Sequence, residues 1–304
     1  MEHIWDCIVV GGGPAGLSAA LNLRRRGRTV LVLSGGAPLL EKAELVENYL
    51  GMPGVTGQEM MARFRAHALA QGAEIRPQRV GNVMPMGETF LVGAGSEMYT
   101  ARTVILACGV SKAAQVPGEA EFLGRGVSYC ATCDGMLYRG KTVVVVGGGN
   151  SAAEDALFLS RVCKKVYLVH RGAVLTASKS YWTALQKAEN VEFIWNSRVV
   201  ELLYGSVVTG IVLEGVESGN RSELACDGVF IAVGRIPNTG LFHGVLEMDA
   251  AGYLIADETT RTALPGVFAV GDVRTKPLRQ IITAAADGAV ASKYAEAYLA
   301  EQEG

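Results

Sequence analysis

Long runs of one charge are missing from this 304-residue chain: 28 lysines and arginines face 30 aspartates and glutamates, for a net charge of −2. Nucleic-acid binding therefore has no electrostatic footprint, and no such partner is expected. The one basic cluster, Arg24-Arg25-Arg26 with Arg28, falls at the end of a predicted helix, where cations offset the helix dipole. Cysteine is scarce, six in all, too few for a disulfide-stapled scaffold. Four of them, Cys7, Cys108, Cys163 and Cys226, stand singly, mostly among apolar neighbours, and read as small buried hydrophobes. The first apolar run is broken at Gly11-Gly12-Gly13-Pro14, so neither a secretory h-region nor a membrane span is expected there. A cytoplasmic location follows as the expectation.

Glycine, by contrast, is plentiful, at 38 residues, and 49% of the chain is hydrophobic. The glycines come in short clusters without a collagen period, as tight turns against ligands would require. The length suits two domains. An ungapped internal repeat sets their architecture. Residues 8–34 read IVVGGGPAGLSAALNLRRRGRTVLVLS and residues 144–170 read VVVGGGNSAAEDALFLSRVCKKVYLVH. Each copy is a strand, a glycine turn, a helix and a second parallel strand, the opening βαβ unit of a Rossmann-type fold. In the first copy Gly11 turns tightly, Gly13 lets a pyrophosphate approach and Gly16 lets the helix lie close, with Pro14 and Ala15 opening the helix. In the second, Gly147 and Gly149 keep these places, Asn150 and Ser151 open the helix, and Ala152 takes the third position. One such motif is weak evidence for a nucleotide; two in the same context are strong.

The strand ends separate the two sites. The second copy ends in His170-Arg171, basic groups suited to a nucleotide 2′-phosphate, which favours NADPH. The first ends in Ser34, with Glu41 or Glu44 available as a loop carboxylate. Further apolar strands at Thr103–Ala107, Val229–Val233 and Val267–Val270 end in glycine turns. These place the second domain inside the first. The expected fold is α/β with two Rossmann-like nucleotide-binding domains: 1–113 with 245–304 for one, 114–244 for the insert. Hinges are expected near 112–117 and 237–246.

Between the repeats lies Cys130-Ala131-Thr132-Cys133-Asp134. A lone CxxC is either half of a zinc site or a redox dithiol. Zinc needs two more ligands, yet no second CxxC exists and His3, His67, His170 and His243 are scattered, so the redox reading is favoured and no metal is expected. Asp134 suits proton exchange with a thiol, though a turn residue before Gly135 is a competing role.

The order GGGPAG, CATCDG, GGGNSAAEDA, VHR, GRIPN and GDVRTKPLRQIITAAADGA resembles that of the low-molecular-weight thioredoxin reductases, and the resemblance covers essentially the whole chain. It implies a discontinuous FAD domain, an inserted NAD(P)H domain carrying the CxxC, and a homodimer. It also implies electron flow from NAD(P)H through FAD to Cys130/Cys133, then by exchange to thioredoxin or a thioredoxin-like protein. It places Gly271, Asp272, Arg279, Gln280 and Asn48 at the FAD. Which cysteine meets flavin stays open.

The chain departs from that family's pattern in three places. Gly172 and Thr176 stand where further arginines would hold a 2′-phosphate, with Lys179 a partial substitute. Tyr181-Trp182 follow as bulky aromatics, and 37–42 lacks a Gly-Gly-Gln. These changes leave NADPH and NADH as donors, with a ferredoxin-dependent reductase bearing a degenerate NADPH site as one alternative. A dithiol oxidase using oxygen is another, and a non-enzymatic nucleotide-binding or sensing module is the least favoured.

Overall fold

The computed structural model describes residues 3–112 and 115–304 and divides into two compact units. In chain order the first unit opens with β1 (Ile4–Val10), α1 (Pro14–Arg24) and β2 (Val30–Leu33). It continues through α2 (Gly57–Ala70), β3 (Glu74–Arg76), β4 (Val80–Met86), β5 (Thr89–Ala94) and β6 (Glu97–Leu106). The chain leaves along β7 (Val110–Lys112) and enters β8 (Val127–Ser128), α3 (Ala131–Asp134), β9 (Thr142–Val146) and α4 (Asn150–Ser160). Next come β10 (Lys165–Val169), α5 (Lys179–Leu185) and β11 (Val191–Ile194). A small antiparallel sheet, β12 (Ser197–Tyr204), β13 (Val208–Gly215) and β14 (Arg221–Ala225), precedes β15 (Gly228–Ile231). The return runs through β16 (Arg235–Pro237) to β17 (Val267–Ala269) and α6 (Ile281–Glu303).

Each unit is built on a parallel core. In the first the order is β3-β2-β1-β6, with β17 also beside β6 and antiparallel β5 and β4 at the edge. In the second it is β11-β10-β9-β15-β8. The strands are runs of valine, isoleucine and leucine because helices or a second sheet cover both faces: Cys7, Ile8 and Val9 of β1 and Val143, Val144 and Val145 of β9 are all 0% exposed. The repeat is reproduced in register. Cys7 pairs with Val30 and Val10 with Leu33; 136 positions on, Val143 pairs with Val166 and Val146 with Val169. Pro14 starts α1 at a position where its fixed φ and missing N–H cost nothing.

The units divide after Ser111 and after Arg235, with Glu44–Asn48 grouped with the second. The expected boundary at 113/114 lies outside the described residues. The expected return at 244/245 needs correction, because 236–244 belong to the first unit. Phe242 is 2% exposed in its core with Leu246, Leu254 and Val267. Asn238 donates from Nδ2 to Cys108 O at 2.8 Å, and Thr239 Oγ1 to Gly252 O at 2.8 Å. So Pro237-Asn238 folds back onto the first unit instead of serving as a free hinge. Among the single cysteines, Cys7, Cys163 and Cys226 are buried and Cys108 is half-buried.

Candidate active site

The first glycine turn is shaped by crowding on one side and space on the other. Gly11 has φ +117°, and a Cβ there would lie 2.2 Å from Ala107 O. A Cβ on Gly16 would lie 2.0 Å from Gly11 O, so only glycine lets α1 sit this close to β1. At Gly13 a Cβ would meet nothing within 4 Å. Gly13 caps α1 without a side-chain bond, and no acid occupies the first turn. The open space in front of uncapped amides fits a diphosphate. Ser34 closes one flank: a Gly12 Cβ would be 2.4 Å from its Oγ.

Distant chain completes this site. Gly271, at φ +73°, packs against Ala15: a Cβ there would lie only 2.9 Å from the Ala15 Cβ. Its N–H donates to Asp287 Oδ2 at 2.8 Å. Asp287 also accepts two bonds from Arg274, at 2.9 Å each, and one from Lys276 at 2.8 Å. Burial pushes the Asp287 carboxyl up, but those cations outweigh it and hold it below its ordinary range. Arg279 donates to Asp272 O at 3.4 Å and Arg274 O at 3.2 Å, its guanidinium 3.9 Å from the Tyr253 ring centre. Gln280 caps α6 in a reciprocal box with Thr283. Thus Gly11, Gly13, Pro14, Ala15, Gly16, Gly271, Asp272, Arg279 and Gln280 share one region of the first unit. Asn48 is exposed and falls in the segment grouped with the second. Glu41 is engaged by Arg65 at 3.3 Å.

The second turn repeats this backbone with other neighbours. Gly149 caps α4 without a side-chain bond, and a Cβ there would approach only Thr176 Oγ1, at 3.9 Å. This opening fits a second diphosphate. A loop folds over the turn: Gly148 O accepts from Thr176 N at 2.8 Å, Ala177 N at 3.0 Å and Thr176 Oγ1 at 3.1 Å. Asn150 Oδ1 accepts from Ser178 N at 2.8 Å. The His170 ring lies on the turn, its Nδ1 2.2 Å from where a Gly148 Cβ would be, and burial lowers its pKa. Arg171, Ser151 and Lys179 are exposed. Trp195, which the sequence reading missed, stands edge-on to His170 at 6.3 Å and stacks on Phe193. Trp182 joins that cluster and Tyr181 packs on the core of the second unit.

Cys130 and Cys133 are joined as a disulfide, with Cα atoms 5.3 Å apart. Cys133 N and Asp134 N donate to Cys130 O at 3.2 and 3.1 Å, so the pair sits on a single short turn. Asp134 is half-buried; burial raises its carboxyl pKa, Ser128 pulls it down and Glu44 pushes it up. Among the described residues no cluster of His, Cys, Asp or Glu is arranged to hold a metal. The segment before the pair is fixed by Glu119, 2% exposed. Its Oε1 accepts from Tyr129 OH at 2.8 Å, and its Oε2 from Gln115 N and Val116 N at 2.8 Å. Arg235 donates to Tyr129 O at 2.9 Å.

Comparisons with known proteins cover nearly the whole chain. The sequence profile of the pyridine nucleotide-disulphide oxidoreductases matches residues 5–291. The chain is 41% identical to the thioredoxin reductase of Treponema pallidum, over 98% of each chain. The chain belongs to the low-molecular-weight thioredoxin reductase family. It is also 42% identical to the thioredoxin reductase of Listeria monocytogenes, covering 99% of this chain and 95% of that one. The crystal structure of thioredoxin reductase from Streptococcus pyogenes matches with a TM-score of 0.93 at 37% identity, over 99% of this chain and 100% of that one. Membership makes this chain an oxidoreductase with two Rossmann-like domains, as the repeat and the CATCDG segment led one to expect. No helix among the described residues is long and apolar enough to cross a membrane.

Proposed function

We propose that this chain passes electrons from NAD(P)H through FAD to the Cys130–Cys133 disulfide, and from the dithiol to thioredoxin or a thioredoxin-like protein. The observation that carries the reading is the closed CxxC disulfide beside a half-buried carboxyl, in a chain with two open, uncapped glycine turns. FAD would be held by Gly11, Gly13, Pro14, Ala15, Gly16, Gly271 and Asp272, with Arg279, Gln280 and Asn48 as further candidates. When bound, it supplies two-electron transfer between a hydride donor and a disulfide. NAD(P)H would be held by Gly147, Gly149, Asn150, Ser151, Ala152, His170 and Arg171.

The thiols then act by exchange. One thiolate attacks the partner disulfide, forming a mixed disulfide and expelling one partner thiolate. The other cysteine attacks its neighbour's sulfur, which re-forms Cys130–Cys133 and releases the second partner thiolate. Two electrons leave the enzyme dithiol and two protons follow to the partner. Asp134 is suited to take a proton from the attacking thiol, because its raised pKa lies nearer the working pH than an ordinary carboxylate's. The working form is read as a cytoplasmic homodimer; light scattering on purified protein checks the dimer.

The donor site gives the second reading. Arg171 and Lys179 are exposed cations near the second turn, but Thr176 is committed to Gly148 O, which favours weak 2′-phosphate selection. Anaerobic mixing with NADPH, NADH and reduced ferredoxin shows which donor bleaches the flavin. Bleaching by a nicotinamide nucleotide supports the proposal; bleaching by ferredoxin alone replaces the donor. Steady oxygen uptake with small dithiols and no thioredoxin reduction would instead identify a dithiol oxidase. Cys133→Ser is expected to keep flavin and lose thioredoxin reduction.

A further inference from the structure

We infer that Ser128 is a positioning residue whose hydroxyl couples the proton held at Asp134 to the backbone of Cys130. This rests on the reading of Asp134 as the proton carrier. Ser128 ends β8 and is 1% exposed, so water does not compete for its hydroxyl. Its Oγ accepts from Cys130 N at 3.0 Å and donates to Asp134 Oδ2 at 2.6 Å. Cys130 O, 3.3 Å away, is a second acceptor within reach of the same hydroxyl.

A hydroxyl has one hydrogen to give. While Asp134 is ionised, that hydrogen points at the carboxylate, and the series Cys130 N–H to Ser128 O–H to Asp134 runs in one direction, each bond polarising the next. When Asp134 takes the proton from a cysteine thiol, its carboxyl becomes a donor. It then gives its hydrogen to Ser128 Oγ, and the Ser128 hydrogen turns to Cys130 O. One rotation about the Ser128 Cβ–Oγ bond therefore carries the protonation state of Asp134 to both ends of the Cys130 residue. The carbonyl it reaches is the one that also accepts from Cys133 N and Asp134 N, so the turn bearing both sulfurs feels the change. Among the described residues, the titratable groups that act on Asp134 are Glu44 and Tyr138. Glu44 raises its pKa, and Tyr138, itself pushed up to about 12 chiefly by burial, stays neutral through the working range.

The test compares the pH dependence of thioredoxin reduction by the FAD-loaded enzyme and its Ser128→Ala, Ser128→Thr and Asp134→Asn variants. Removing the Ser128 donor destabilises the carboxylate, so in Ser128→Ala the limb due to Asp134 moves to higher pH by about one unit. Ser128→Thr keeps a hydroxyl and holds the limb at its original place. Infrared titration of the Asp134 carboxyl band shows the same shift without turnover, and flavin absorbance confirms that Ser128→Ala is folded. An unmoved limb and carboxyl band in Ser128→Ala overturn the proposal, as does a shift of equal size in Ser128→Thr. A limb that survives in Asp134→Asn removes the proton role of Asp134 itself, and the inference falls with it.

Discussion

At the first glycine turn, Gly11–Gly16, the bracing comes from chain more than 250 residues away: Gly271 presses on Ala15, and a Cβ on Gly288 would lie 2.2 Å from Ala15 O. At the second, Gly147–Ala152, it comes from the loop that directly follows β10, through Thr176, Ala177 and Ser178. The strand–turn–helix–strand order and the pairing register of the two are the same. The local pattern therefore determines the βαβ unit, and the neighbours determine what each unit does with a ligand. A turn braced by a packed helix and a buried ion cluster suits a cofactor that stays. One braced by a polar loop, with the approach at Gly149 left open, suits a ligand that comes and goes.

The comparison is broken most severely by Gly288→Val. The side chain would force α6 off α1, and the protein is expected to purify without flavin while the second unit keeps its fold. Flavin absorbance per chain after desalting measures this. Asp287→Ala comes next, because it strands Arg274 and Lys276 as buried cations; a loss of about 3–5 kcal/mol is expected in denaturant unfolding. Since the Asp287 pKa is lowered in the fold, its contribution is present above about pH 4 and disappears as pH falls through the folded value. The acid limb of the stability curve should therefore flatten in this variant. The smallest effect belongs to the second turn. Gly149→Ala meets only Thr176 Oγ1 and leaves FAD bound, but its methyl group fills the phosphate approach and should raise the nicotinamide donor's KM about tenfold.

The two turns also show how far the sequence could be read. Gly11, Gly13 and Gly16 were legible because they fall within six consecutive residues of one motif, although the crowding at Gly11 comes from distant Ala107, and Cys130/Cys133 because the motif is contiguous. Gly288 was not, since its need arises from a helix 270 residues upstream in an alanine-rich stretch where a glycine looks unremarkable. Asp287 left a signal that went unused: a lone acid inside an apolar helix, with Arg274 and Lys276 shortly before it, has to be paired. Ser128 left none, because a serine two residues before a cysteine is common and only burial shows that its hydroxyl is committed. The return boundary was misplaced because Pro237-Asn238 reads as a break, whereas the Asn238 amide reaches back to Cys108 O.

The central claim is that Cys130 and Cys133 exchange two electrons with the bound flavin. Anaerobic dithionite titration tests it without choosing a donor. The wild-type chain should take up about two electrons more than Cys133→Ser, with free thiols appearing at Cys130 and Cys133 before the flavin is fully bleached or together with it. Equal uptake by the two proteins, with the disulfide still closed beneath fully reduced flavin, would contradict the account.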